Sequence, residues 1–412
     1  MARRAALAAL VLLAAACGSS DPIAWTQLGP QSQVIARAIV VEGGCPSLTV
    51  DGARVAMRER AAPSAAFPVR SCEAVVPPQA TSASIDGQPL ALPAARPTRF
   101  AVLGDTGCRV QGARVQACDD PAAWPAADVS AAIAASSPDL ILHVGDYLYR
   151  LGPCPAGEAS CGPTGDDWAS WYADFFAPFA RALAAAPWVF VRGNHELCGE
   201  GGDGWFRLLD PHPYGGCVDY TQPYAVEAGN VRLVVFDSAL ASDFSAVPEQ
   251  VAVYERQFAD ARALAAGATQ AWLLLHRPIW AVGASSSPPP ATFVDNPTLQ
   301  AASQNELGAA TTLVLSGHLH VLGWYGFVPA ADRAPQLVVG TGGTQLDPAI
   351  GTSLAGMEIA GAELSTGTTL AEHGFLTIEP GDAGGWDLGF TPVAGGPRPV
   401  CELHGRDLSC ES

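Results

Sequence analysis

Five short blocks in this sequence end an apolar run with a side chain able to bind a metal ion. They are Asp105 in GDTG, Asp146 and Tyr149 in GDYLY, Asn194 with His195 and Glu196 in GNHE, His276 in LLLH, and His318 with His320 in GHLH. Carboxylate and phenolate oxygens suit a hard ferric ion, whereas imidazoles and an amide oxygen suit a divalent ion such as zinc, iron or manganese. Taken singly, Asp105, Asp146 or Asn194 reads as a strand-end turn residue. His276 alone reads as a hydrogen-bonded core histidine, and Tyr149 as a packed ring. The ordered set reads otherwise. Each member follows an apolar run, and most follow a glycine, which lets the backbone turn sharply toward a common ion.

Side chains so far apart in sequence meet only if a scaffold brings the strand ends together. From Phe100 onward the runs RFAVLGD, LILHVGD, PWVFVRGNHE, VRLVVFD, AWLLLH, TTLVLSGHLH and PQLVVGTGG read as buried strands. Between them DVSAAIAAS, DDWASWYADFFAPFARALAAA and PEQVAVYERQFADARALAAG are expected as helices. This is an α/β pattern. In such a core, functional groups gather just past the carboxyl ends of the strands, where all five blocks sit.

Residues 20–98 differ: short alternating or β-branched runs between Gly, Pro and Ser turns predict a small β-rich module. The expected division has a signal peptide with a lipobox-like cysteine at 1–17, the β-rich module at 20–98 and the catalytic domain at 99–380. A Gly/Pro segment at 381–412 then closes in a hairpin about His404 and Gly405, stapled by Cys401 and Cys410.

The 412 residues carry 40 acidic side chains against 22 basic ones, all arginine, for a net charge of -18. The missing lysine is composition bias rather than chemistry. A chain this acidic repels a phosphate backbone, so no specific nucleic-acid binding is expected. An anionic substrate needs local positive charge, which bound metal ions supply.

The start, MARRAALAALVLLAAACGSS, has the build of a secretory signal peptide and is too short to span a bilayer. Ala14-Ala15-Ala16 before Cys17 is similar to a lipobox, although leucine is more usual where Ala14 stands. An exported chain is therefore expected, as a cell-envelope lipoprotein whose membrane contact is a lipid on Cys17, or as a periplasmic or secreted protein. The other ten cysteines fall as close neighbours, and their even number in an exported chain favours disulfides. Sequence alone does not fix connectivity, but sequential pairing closes five short loops.

The order and spacing of the five blocks resemble the calcineurin-like metallophosphoesterases, and within them the purple acid phosphatases. That pattern reads GDxG, GDxxY, GNH followed by Asp or Glu, VxxH, and GHxH. Leu273 stands where it has Val, a conservative change in a strand core. The resemblance covers roughly residues 100 to 380. It implies a four-layer αββα sandwich of two packed sheets with helices outside. It also implies that Asp105, Tyr149 and His320 bind one ion, that Asn194, His276 and His318 bind another, and that Asp146 bridges them. The implied cofactors are Fe(III) with Fe(II), Zn(II) or Mn(II). Tyr149 marks the purple enzymes, whose phenolate-to-iron charge transfer gives their colour.

Two ions about 3.5 to 4 Å apart clamp a phosphoryl group, generate hydroxide near neutral pH and stabilise both attacking and leaving oxygens. His195 would protonate the leaving alkoxide, a role worth about 10² to 10⁴ in rate, and Glu196 would orient that imidazole. The expected activity is hydrolysis of phosphate esters. The alternatives are a divalent-metal phosphodiesterase of the same superfamily and a non-catalytic cell-surface binding protein on this fold. Retention of every ligand argues against the last.

Other residues are set aside. His373 reads as strand chemistry, His404 as a turn residue and Asp237 as structural. His212 lies in a loop that could overhang the site, and Arg277 could contact substrate. GTGG at 340–343 lacks the lysine of a P-loop and reads as a tight turn. Trp168, Trp171, Tyr172, Phe175 and Phe176 recur at helical spacing and read as core.

Overall fold

The computed structural model describes residues 21–410 apart from 113, 157, 159, 286–291, 305 and 397. The expected signal peptide and Cys17 lie outside the described residues. Three strands, Phe100–Leu103, Leu140–His143 and Trp188–Phe190, pair in parallel and in register. GDTG, GDYLY and GNHE therefore leave one edge side by side. These strands form the centre of a sheet of 11 strands. In the second sheet Val231–Val235, Ala271–Leu274, Thr311–Ser316 and Gln336–Val339 are likewise parallel, so LLLH and GHLH emerge together.

Alternation along the strands sorts the side chains into layers. Phe100 and Val102 pack between the sheets with Leu142, Leu233, Trp272, Leu274 and Leu315. Ala101, Leu103 and Ile141 pack instead with the helices Ala126–Ser136 and Ala180–Ala185. On the far side Val234, Leu273 and Val314 pack with Pro248–Ala265 and Pro297–Ser303. These cores separate the four layers of the expected αββα sandwich. Trp272 fastens the sheets, its ring 5.1 Å from Phe100 and 5.0 Å from Trp386. Full burial of a large apolar side chain stabilises by roughly 1.5–3 kcal/mol.

One expected helix differs. Residues 166–186 form a short helix Trp168–Trp171, a widened π turn Tyr172–Phe176 and, after Pro178, the helix Ala180–Ala185. Proline removes a donor and clashes with the preceding turn. The π turn places Asp174 inward, where its carboxylate accepts the N–H groups of Cys108 and Tyr149 and pairs with Arg150. Widened turns of this kind occur often at functional sites.

The N-terminal residues are β-rich, and part of them extends the large sheet. Ile23–Leu28 lies parallel to Trp188–Phe190, followed outward by Val34–Val40, Arg70–Val76 and Arg58–Ala61. Ser47–Val50, Ala53–Ala56, Ala83–Ile85 and Gln88–Pro89 make a separate sheet. At the other end Trp386–Pro392, Arg398–His404 and Asp407–Cys410 continue the large sheet, the last two as a hairpin. The cysteines pair sequentially: Cys45–Cys72, Cys108–Cys118, Cys154–Cys161, Cys198–Cys217 and Cys401–Cys410.

A buried ion network ties the N-terminal strands to the segment after GNHE. Glu73 accepts from Arg37 at 3.0 Å, Arg58 at 2.7 Å and Arg60 at 3.2 Å. Arg37 also donates to the carbonyls of Leu208 and Asp210, and Arg60 to those of Phe206, Arg207 and His212. These arginines thus cap the helix Gly202–Leu208, whose last carbonyls would otherwise lack partners. Glu73→Ala leaves the buried guanidinium groups short of a counter-charge. Denaturant unfolding should show a loss of about 3–5 kcal/mol, and a change within about 0.5 kcal/mol would contradict this account.

Candidate metal centre

The strand ends converge as their spacing implies. Asp105 and Asp146 are both buried and both adopt positive φ, +57° and +60°, which swings each carboxylate out of its strand direction. Gly193 allows GNHE to pass close by, because a Cβ there would collide with the Asp146 carboxylate. Tyr149 Oη lies 2.8 Å from Asp105 Oδ1, 2.7 Å from Asp146 Oδ2 and 2.8 Å from His320 Nε2. His276 Nε2 lies 3.1 Å from Asp146 Oδ2 and 3.1 Å from Asn194 Oδ1. His318 joins them: the ligand atoms of Asp146, His276 and His318 all fall within 4.8 Å of one another. His318 also has positive φ, +74°, and donates its backbone N–H to Asp105 Oδ2.

Proton counting shows that this set fits a metal better than a hydrogen-bond network. His276 Nδ1–H donates to the Val144 carbonyl at 2.8 Å, and His320 Nδ1–H to the Gln345 carbonyl at 2.9 Å. Each neutral ring therefore turns a lone pair on Nε2 into the cluster. Tyr149 has one proton for three acceptors. Asn194 Oδ1, Asp146 Oδ2 and the neutral His276 Nε2 have none to share. Donor atoms spaced roughly 3 to 3.4 Å apart are what a central ion with bonds of about 2.1 Å requires.

The electrostatics agree. Burial opposes charge on His276, but Asp146 and Asp105 outweigh it and raise the imidazole to about 9, so the two carboxylates draw positive charge to this position. Burial, Asp105 and Asp146 hold the Tyr149 hydroxyl well above the usual phenol range, so a phenolate here needs a multivalent ion beside it. Burial and the Arg277 charge lower His318 to about 3, leaving it neutral and free to ligate.

His195 lies beside the cluster. Its ring stacks on Tyr149 with centroids 3.9 Å apart, its Nε2 is 3.9 Å from Asp146 Oδ2, and its Nδ1 has no partner among the described residues. Glu196 is placed differently from the expected role of orienting His195. Its carboxylate accepts the backbone N–H groups of Asp146, Tyr147, Leu148 and Gly193 at 2.9–3.2 Å. It ties the GDYLY and GNHE loops together instead. Burial and the Asp146 charge push Glu196 up to about 8, and bound cations would act in the opposite direction.

His212 pairs with Asp210 and packs on Tyr224, within the N-terminal clamp. Asp237 pairs with Arg192 and accepts from Thr221, a structural role. At GTGG a Cβ on Gly340 would collide with the Leu319 carbonyl, which explains that glycine without any phosphate. Sequence reasoning missed Arg109, whose guanidinium lies over the Tyr149 ring at 5.5 Å, and Asp243, whose Oδ2 lies 3.1 Å from His318 Nε2. It also missed Asp174, although an acid inside an aromatic helical run is a signal.

The calcineurin-like phosphoesterase family model matches residues 98–322. None of the curated proteins compared matches this sequence. The fold is similar to a purple acid phosphatase isolated from yellow lupin (Lupinus luteus) seeds, with a TM-score of 0.60 and 14% identity, covering 93% of this chain and 74% of that one. It is also similar to the structure of PhoD, with a TM-score of 0.56 and 12% identity, covering 96% of this chain and 93% of that one. The family match spans all five blocks and more than half of the chain, so this protein belongs to the calcineurin-like phosphoesterase family and is a metal-dependent phosphoric ester hydrolase.

Proposed function

We propose that the cluster holds two metal ions and hydrolyses phosphate esters in the manner of a purple acid phosphatase. The observation that carries this reading is Asp146 Oδ2, which lies 2.7 Å from Tyr149 Oη and 3.1 Å from His276 Nε2, so one oxygen is common to both donor sets. Asp105, Tyr149 and His320 would hold one ion, whose carboxylate and phenolate donors suit ferric iron; Asn194, His276 and His318 would hold a divalent iron, zinc or manganese ion. When bound, the ions polarise the phosphoryl group and supply a hydroxide nucleophile near neutral pH.

His195 delivers the proton to the leaving alkoxide. Burial pushes this imidazole down to about 4, so its proton-donating form gains as pH falls, and the step it serves should favour acid. Asp105 and Glu196 hold the loops: one accepts the His318 N–H, the other the amides around Asp146. We also read residues 20–98, 99–380 and 381–412 as the units of the chain, and the protein as exported with a lipid on Cys17. The disulfides support export, and no helix among the described residues is long and apolar enough to cross a membrane.

The test is a panel of phosphomonoesters, phosphodiesters and pyrophosphates at several pH values, with metal content measured in parallel on wild type and His195→Ala. Wild type should turn over phosphate esters with two ions per chain. His195→Ala should keep both ions, lose about 10²-fold or more on esters with poor leaving groups, and lose the rise toward acid pH. An emptied metal site in His195→Ala would assign the histidine to ligation or structure instead.

A further inference from the structure

Arg277 follows the ligand His276 directly, and its surroundings give it a task that the metal ligands do not explain. Its Nε donates to the Ala239 carbonyl at 3.1 Å, and its Nη1 pairs with Asp243 Oδ2. Nη1 also lies 3.1 Å from His318 Nε2. Nη2 has no protein partner among the described residues, and the side chain keeps 13% of its surface open. Asp243 is itself fixed, since its Oδ1 accepts from Asn296 Nδ2 at 2.8 Å. Asp295 completes the surroundings: it is 1% exposed, one of its carboxylate oxygens has no partner among the described residues, and its ligand atom lies within 4.8 Å of those of Asp243 and His318.

Two readings of this group compete. Asp243, Asp295 and His318 could hold a further cation, but a guanidinium already occupies that position and supplies the charge. Asp243 then acts on Arg277. The Asp243 carboxylate holds the guanidinium beside His318, at the edge of the metal cluster. Once the His318 Nε2 lone pair is given to an ion, it is withdrawn from Nη1, which retains Asp243.

We propose that Arg277, positioned by Asp243, binds a terminal phosphoryl oxygen of the substrate and makes the enzyme selective for phosphomonoesters over phosphodiesters. This rests on the phosphoesterase reading of the cluster. A phosphomonoester near neutral pH carries up to two negative charges and three terminal oxygens. A diester has one charge and replaces one of those oxygens with an ester group, against which a guanidinium donor would be desolvated without a partner. The Arg277 fork therefore favours the first substrate and penalises the second.

The test compares the wild-type holoenzyme with Arg277→Met, which keeps most of the apolar stem, and Arg277→Lys, which keeps the charge but not the fork. Inorganic phosphate is the probe, titrated by calorimetry and as a competitive inhibitor, with metal content measured on each sample. Arg277→Met should retain the wild-type metal content and bind phosphate about 10-fold or more weakly. Its kcat/KM for p-nitrophenyl phosphate should fall by a similar factor, while that for bis(p-nitrophenyl) phosphate changes less than about 3-fold. Arg277→Lys should fall between. Asp243→Asn, which loosens the guanidinium, should weaken phosphate binding in the same direction with the wild-type metal content kept, and Arg277→Met should then add little to it.

Unchanged phosphate affinity and unchanged selectivity in Arg277→Met would overturn the proposal. So would an emptied metal site, which would make Arg277 a brace for His318, or an additional bound ion, which would make the acid group a cation site. A wild-type protein that holds no metal and hydrolyses neither ester would instead overturn the reading beneath it.

Discussion

Asp146→Asn should empty both metal positions while leaving the protein folded. The asparagine is close in shape, and its oxygen can still accept the His195 backbone N–H now received by Asp146 Oδ1 at 2.9 Å. What disappears is the negative charge shared by both donor sets. The carboxylate oxygen that meets Tyr149 and His276 becomes part of a neutral amide, and His276 loses the largest attraction that draws positive charge to its ring. Activity should fall well beyond the roughly 10- to 100-fold that follows loss of a partner supporting a ligand. Elemental analysis should find less than one ion per chain, with a near-wild-type unfolding transition. Two retained ions would remove Asp146 from the bridging position.

Tyr149→Phe should divide the two sites. The hydroxyl meets Asp105, Asp146 and His320 rather than Asn194 or His318, so its loss falls on the first position. The phenyl ring still fills the space against His195, which preserves packing. A purified wild-type protein carrying a phenolate on ferric iron should be violet or pink, and the variant should lose that visible band. Its first ion should be lost or exchanged while the second, held by Asn194, His276 and His318, is affected less. A colourless, iron-free wild type whose activity tolerates the change would leave the family assignment standing and remove the purple subtype.

The parts legible in the sequence are those where local pattern and tertiary role coincide. The strands under all five blocks are buried on both faces, so they appear as unbroken apolar runs such as LILH and TTLVLS. Their edge carries the chemistry, so the strand end and the ligand are read together. The helix Gly202–Leu208 was not legible, because GDGWFRL is glycine-rich and its caps come from elsewhere. Asp166 accepts the N–H groups of Asp203 and Gly204 at one end, while Arg37 and Arg60 take the carbonyls at the other.

Glu196 shows the same limit within the site. Its place beside His195 in sequence implied a partnership, but the short 3-10 turn Asn194–Glu196 directs its carboxylate to four backbone amides. Asp243 and Asp295 carry no motif; the first reaches Arg277 and His318, and the second nears His318, only through the fold.

The central claim is that one buried carboxylate joins two metal positions of different chemistry. Anomalous diffraction from crystals of the protein as purified, recorded on both sides of the iron and zinc absorption edges, tests it most directly. The account predicts two peaks: one among Asp105, Tyr149 and His320, the other among Asn194, His276 and His318, with Asp146 in contact with both. A single peak, or a pair of peaks that Asp146 does not touch, would contradict it.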